Sequence, residues 1–260
     1  MSKPICEIQK LGLIDYQEAW DLQNRYAAEI ATGVRPATLL LLEHPHTYTF
    51  GRRGDAGNLL WDEAELRQRG IRVHWVDRGG DVTYHGPGQL VGYPLLPLRN
   101  PPLITPLTGS RQAALPLGEM NRIPSGDYVG YIRKLEQVII TTVAEYGVTA
   151  KQVEGLTGVW IDEDQRLMMY ASDHPSPIHK LAAIGVKVDA RGISRHGFAL
   201  NINPDMSYWE GIIGCGLPYP EISLAGLLDP VPEMEEVSLA LLKAFGEIFD
   251  YQLDGFGLDD

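Results

Sequence analysis

Apolar positions recur along this chain in two rhythms, and the change from one to the other predicts alternating helices and strands. Helical spacing is clearest at Ile132, Leu135, Val138, Ile139 and Val143, in a segment opened by Asp127 and closed by Gly147. A last helix from about Met234 to Phe249 presents Val237, Leu241, Phe245 and Ile248 on one face. Asp15 with Glu18 reads as a capping box for a helix running through Tyr26 to about Thr32, with Gly33 as its stop. Asp62 and Glu65 cap a short helix that ends at Gly70. Between these, apolar runs predict strands at Ala37–Glu43, Val73–Val76, Leu90–Leu96, Gly158–Ile161, Leu181–Val188 and Gly197–Ile202. The class is therefore α/β. No internal repeat is visible. The Pro-rich stretch from Pro97 to about 126 is too long for a simple connection and predicts a loop inserted into one domain spanning 1–260. Asp164 to Pro177 reads as a second long loop.

Composition narrows the setting more than the chemistry. At 260 residues and 44% hydrophobic, the chain can bury a full core. No apolar run approaches the ~20 residues of a membrane span. The N-terminal residues do not read as a signal peptide, and two cysteines, Cys6 and Cys215, argue against a disulfide framework. The expectation is a cytoplasmic protein. A net charge of −12 excludes nucleic acid as the natural partner. That charge is uneven. Residues 227–260 carry −8, whereas Lys180, Lys187, Arg191 and Arg195 against Asp189 give residues 178–203 a local +3. Such a patch could receive an acidic partner, or simply be a solvated sheet edge.

One stretch concentrates candidate chemistry. Arg78-Gly79-Gly80-Asp81-Val82-Thr83-Tyr84-His85-Gly86-Pro87-Gly88-Gln89 lies between two predicted strands. Glycines let backbone approach a ligand closely, and loops carried on rigid strands commonly hold sites. Two ordinary turns would explain the glycines and the proline, but not the crowding of Arg78, Thr83, Tyr84, His85 and Gln89.

The run RGGDVTYHGPGQLVGYPLLPL resembles the signature of the lipoate-biosynthesis octanoyltransferases, which use an acyl carrier protein as donor. Lys180-Leu-Ala-Ala-Ile-Gly-Val, His196-Gly-Phe-Ala-Leu-Asn and Gly214-Cys-Gly follow in the same order, and Phe50-Gly-Arg-Arg-Gly-Asp with Asn58-Leu-Leu is similar too. Together the blocks span about residue 10 to about residue 225. Pro97 departs from the pattern, standing where an aspartate is expected, and the loop after it is longer than usual.

The resemblance implies a mixed sheet flanked by helices, similar to the biotin/lipoate protein ligase catalytic fold. It implies transfer of an octanoyl group from octanoyl-acyl carrier protein through an acyl-Cys215 thioester to a lysine of lipoyl domains. The acceptors would be the 2-oxoacid dehydrogenases and the glycine cleavage H protein, the first step of protein lipoylation. Cys215 and Lys180 would be catalytic. Arg78, Gly79, Gly80, Thr83, Tyr84, His85, Gly86, Ala183, Ile184, Gly185, His196, Gly197, Phe198 and Ala199 would bind substrate. No cofactor and no metal are implied, and the enzyme is expected to be a monomer. His44/His46 and His174/His179 are the close histidine pairs, and no further cysteine joins them.

The residues themselves support part of this. A lone cysteine is more often a small buried hydrophobe than a nucleophile, but Cys215 lies between two glycines that leave one side open. At its usual pKa of ~8.5 a thiol is only about 3% ionised at pH 7, so it needs a base or a positive charge beside it. A lysine serves as base only where desolvation or neighbours favour its neutral form. Taken alone, Lys180 reads as a strand-end surface lysine. His85 would line the acyl pocket or position the reacting carbonyl, and His196 would orient Lys180 or the acyl group. Three other readings stand beside transfer: an ATP-dependent lipoate or biotin ligase, which has no need of Cys215; a thiol hydrolase using Cys215 with His196; and a non-catalytic carrier-binding protein.

Overall fold

A run of four leucines that is apolar on both sides belongs inside a sheet covered on both faces. Leu39 and Leu41 point to one layer, Leu40 and Leu42 to the other, and all four are buried. The computed structural model describes residues 3–98, 127–165, 177–217 and 219–255. Its strands and helices run β1 (Ile5–Leu13), α1 (Tyr16–Ala31), β2 (Ala37–Glu43), β3 (Thr47–Phe50), α2 (Glu63–Gln68), β4 (Arg72–Trp75), β5 (Val82–His85), β6 (Gln89–Leu95), α3 (Tyr128–Ala144), β7 (Ala150–Val153), β8 (Leu156–Asp162), β9 (Ile178–Val188), β10 (Ser194–Asn201), α4 (Met234–Phe249) and β11 (Gln252–Asp254).

Among the described residues, eight strands form the main sheet in the order β11-β1-β2-β6-β10-β9-β8-β7. The β11-β1-β2 edge is parallel and the rest is antiparallel, so the sheet is mixed. Helices α3 and α4 cover one face, where Leu39, Leu41 and Leu90 meet Tyr131, Leu135, Val138, Leu241 and Phe245. Helix α1 covers part of the other, packing Ala19, Tyr26 and Ile30 on Leu40, Leu42, Val91 and Leu95. This is the expected α/β architecture.

A second sheet, β4-β3-β5, has its own small core of Tyr48, Phe50, Leu66, Val82, Tyr84 and Ile212. It corrects the reading of residues 78–89 as one loop. Val82–His85 is a strand paired with β3, buried on both sides, and glycine-rich turns flank it. The helix starts agree with the caps: Asp15 accepts from Gln17 N–H, Asp62 from Ala64 and Glu65 N–H, and Asp127 from Gly130 N–H. Beyond Leu98 the predicted inserted loop lies outside the described residues, as does most of the loop from 164 to 177.

Candidate active site

The seam between the two sheets opens a narrow cleft, partly open to solvent. Its apolar wall comes from the main sheet: Ala183, Ile184 and Gly185 of β9 face Gly197, Phe198 and Ala199 of β10. Its polar wall comes from Arg78, Gly80, Thr83, His85 and His196, with Tyr16 and Tyr93. Cys215 stands at the edge. Of the residues expected to bind substrate, Gly79, Tyr84 and Gly86 do not line this cleft. Tyr84 points the other way, its hydroxyl 2.9 Å from His46 Nδ1 and its ring stacked on Tyr208. The Gly86–Gly88 turn serves the fold, since Gly88 N–H donates to the Glu43 carboxylate at 2.6 Å.

Backbone geometry singles out two of these residues. His196 and Cys215 both have φ 56°, and Asp250, at the end of α4, is the only other non-glycine with positive φ among the described residues. Left-handed backbone costs a residue with a Cβ of order 1–3 kcal/mol and persists where neighbours enforce it. For Cys215 those neighbours are visible. Ile213 N–H donates to Asn58 O at 2.9 Å, and Asn58 Nδ2 is 2.5 Å from Asp81 Oδ2. The Asp81 carboxylate is held in turn by the N–H groups of Asp55 and Val82. The Phe50–Leu60 segment and the glycine-rich run thus jointly cradle the Gly214–Gly216 turn.

Apart from Thr83, whose buried hydroxyl has no hydrogen-bond partner among the described residues, the polar side chains around the cleft are fixed by hydrogen bonds. Arg78 is buried and donates to Thr49 O at 2.5 Å, Thr49 Oγ1 at 3.0 Å and Gly79 O at 2.9 Å. No carboxylate pairs with it among the described residues, it lines the cleft, and Cys215 is among the groups whose field it feels. A side chain at Gly51 would put its Cβ 2.4 Å from Gly80 O and 2.8 Å from Arg78 Nη1, which is why that turn requires glycine. Burial holds the His85 imidazole well below its usual value, so it is neutral at pH 7. Gln89 Nε2 donates to Asn201 Oδ1 and Tyr84 O, leaving Gln89 Oε1 to accept from His85 Nδ1–H at 2.8 Å. The tautomer assigned by this network leaves His85 Nε2 as an acceptor.

Asp77 anchors a second network. Its carboxylate meets Lys187 Nζ and Arg195 Nη2 at 2.5 Å each and His196 Nε2 at 2.8 Å. Burial opposes the charge, yet bonds from His196, Lys187 and Arg195 hold the carboxyl far below the usual range. His196 remains neutral because burial outweighs the Asp77 bond; its Nε2–H donates to Asp77 and its Nδ1 lies 3.4 Å from the Tyr16 hydroxyl. The expected basic patch over residues 178–203 is therefore not an open surface. Lys187 and Arg195 belong to Asp77, Arg191 pairs with Asp189, and Lys180 is buried.

Lys180 does not line the cleft; it is buried, 1% exposed. Its backbone is bracketed by Pro220 O and Ile222 N–H, forming a parallel bridge between Lys180 and Glu221. Its ammonium sits 4.9 Å from the Trp160 ring centre and 3.7 Å from Glu221 Oε1. A Cβ at Gly214 would stand 2.7 Å from that same oxygen, which places the Lys180–Glu221 pair against the residue preceding Cys215. Cys6, by contrast, is a core residue whose thiol is pushed up by burial. Sequence reasoning did not single out Tyr16, Tyr93, Asp77 or Glu221. Asp77 stands immediately before the glycine-rich run, which was the available signal for it.

The fold and the site together define a class. A solved structure of a bipartite lipoate protein ligase from Thermoplasma acidophilum aligns with a TM-score of 0.61 at 14% identity, covering 98% of this chain and 87% of that one. The chain also matches the lipoyl protein ligase A/B catalytic domain over residues 15–109 and 119–246. An octanoyltransferase of Solibacter usitatus is 40% identical over 95% of this chain and 94% of its own length, and one of Chloroflexus aurantiacus is 38% identical over 93% of each. The chain belongs to the octanoyltransferases of the lipoyl protein ligase A/B family and is an acyltransferase. No helix among the described residues is long and apolar enough to cross a membrane.

Proposed function

We propose that this enzyme moves an octanoyl group from acyl carrier protein to the ε-amine of a lipoyl-domain lysine, through a thioester on Cys215. The observation that carries the reading is the placement of Cys215. It is a strained, clamped residue at the edge of a cleft whose far wall is apolar, with a guanidinium that has no carboxylate partner among the described residues lining the same cleft, and a buried lysine paired with the carboxylate that abuts Gly214. Lys180 accepts the thiol proton as Cys215 attacks the donor thioester. The carrier thiol leaves with that proton, and the acyl group stays on sulfur. The acceptor amine then displaces Cys215, forming the amide. Exchange between thioesters is nearly neutral, and thioester-to-amide transfer runs downhill, so no nucleotide is needed.

In this reading the acyl chain lies against the wall formed by Ile184, Phe198 and Ala199. Shortening it by two carbons costs about 1.6 kcal/mol of burial. Arg78, Gly80, Thr83, His85 and His196 fix the thioester end. Acceptors are the lipoyl domains of 2-oxoacid dehydrogenases and the glycine cleavage H protein. The enzyme acts as a monomer in the cytosol, in keeping with two free cysteines.

Intact mass after incubation with octanoyl carrier protein, without ATP, tests the mechanism. One octanoyl group gained by the parent and discharged by a lipoyl domain is the expected result. Modification of the acceptor only with free octanoate and ATP would assign the chain to ligase chemistry instead.

Carrier docking uses a different surface from the one the charge pattern pointed to. Arg52 and Arg53 are exposed, and neither is ion-paired among the described residues. Their N–H groups bond Arg78 O and Gly80 O, so the pair borders the cleft beside the 57%-exposed Trp75. The double change Arg52→Glu/Arg53→Glu is expected to raise KM for the carrier about tenfold, leave kcat within about twofold, and flatten the salt dependence. An unchanged KM would remove this docking site.

A further inference from the structure

The transfer mechanism asks Lys180, an amine shut away from solvent, to hold no proton at the moment the Cys215 thiol loses one. Where the lysine proton goes is a matter of geometry. Lys180 Nζ has no hydrogen-bond partner among the described residues, and Glu221 Oε1 has none either. The two stand 3.7 Å apart at 1% and 6% side-chain exposure. A closed charge-assisted bond would bring them to about 2.8 Å, so each keeps a direction free. The bridge through Pro220 O and Ile222 N–H fixes both backbones, and Gly214 offers the carboxylate no side chain to meet.

We propose that Glu221 is a positioning residue for Lys180: its carboxylate takes the ammonium proton within the protein, freeing the amine to receive the Cys215 proton. This rests on the acyl-Cys215 reading. An N–H bond of Lys180 breaks as an O–H bond forms on Glu221. The S–H bond of Cys215 then breaks as an N–H bond forms on Lys180, leaving thiolate, ammonium and carboxylic acid. Departure of the carrier thiol takes the Lys180 proton, and Glu221 returns its own. Before the thiolate reacts, the three groups together stay neutral, which matters where a buried net charge is costly. The elements packed on Glu221 bring it Lys180 from β9 and Gly214 next to Cys215, while the Trp160 indole from β8, with Tyr219 against its ring, covers the Lys180 ammonium. Lys180 is the one charge acting on the carboxyl among the described residues. Burial, which Lys180 only partly offsets, pushes that carboxyl up to about 7, a suitable value for exchanging a proton near neutral pH.

The experiment is the rate of octanoyl loading onto Cys215 from octanoyl carrier protein between pH 5.5 and 9, for the full-length parent, Glu221→Gln and Glu221→Asp, with thermal unfolding of each. The parent is expected to show an acidic limb centred near pH 7. Glu221→Gln should load about ten- to a hundredfold more slowly at pH 7, with the limb moved up by at least a unit, and Glu221→Asp should recover part of both. Loading by Glu221→Gln within twofold of the parent on the same profile overturns the inference. So does an equal fall at every pH accompanied by a lower Tm, since that is a packing defect. Absence of loading in the parent itself overturns the acyl-Cys215 reading, and this inference with it.

Discussion

Serine at position 215 is expected to lower octanoyl transfer by about 10⁴-fold or more while leaving the fold intact. The sulfur is the nucleophile of the proposed mechanism. A hydroxyl in its place is a far weaker nucleophile toward a thioester, and the acyl-enzyme does not accumulate. Because serine would bear the same left-handed backbone at φ 56°, its stability should match the parent within about 0.5 kcal/mol. Cys215→Gly separates the two properties further. Glycine meets no Cβ penalty at that φ, so this variant should be more stable by about 1 kcal/mol and equally dead. Transfer assayed with a lipoyl-domain acceptor, beside urea unfolding, checks both halves. Appreciable activity in the serine variant would mean that the acyl group passes directly from carrier to acceptor.

Asp77→Asn is expected to destabilise the protein by about 2–3 kcal/mol at pH 7. Loss of one partner from a largely buried charge cluster costs about 3–5 kcal/mol, discounted here because the Asp77 side chain is 29% exposed. Arg195, nearly buried, is left without its carboxylate, and His196 loses the bond that orients it toward Tyr16. The pH dependence has a definite sign. The folded-state carboxyl lies far below the unfolded value of ~3.9. Its contribution is therefore fully present above about pH 5 and declines as pH falls through the unfolded value toward the folded one. Urea unfolding of parent and variant at pH 7 and pH 3.5 should show a gap that narrows in acid. A gap that is the same at both pH values would mean that Asp77 contributes through packing rather than charge.

Much of the architecture was legible because its elements carry strong local signals. Helices α1, α3 and α4 combine capping residues with long periodic faces, and β2 and β6 are too apolar for any place but a covered sheet. The small sheet was hidden for a physical reason. Thr47–Phe50 and Val82–His85 are four-residue strands rich in hydroxyls and rings. Their polar atoms are satisfied only in the folded state, as when Thr49 receives Arg78. A glycine-rich neighbourhood then disguised β5 as loop. Within the site, Cys215 and Lys180 were singled out through the resemblance, because nothing local distinguishes Lys180 from a surface lysine. Its 1% exposure depends on Trp160, Glu221 and the cysteine turn arriving from separate parts of the chain. Asp77 and Glu221 were missed for the same reason. A single carboxylate has no spacing to betray it, and both acquire meaning only through partners brought by β9 and β10.

The cleft lies where two separately packed cores meet, and that arrangement divides the labour of recognition. The wall proposed to measure the acyl tail belongs to the large sheet, whereas Arg52, Arg53 and Arg78, proposed to receive the carrier and the thioester, ride on loops anchored to the small one. Changes in tail preference and changes in carrier preference can therefore be introduced on different structural bodies, with effects that combine additively rather than interfering. Such a scaffold can exchange either its cargo or its supplier without renegotiating the other.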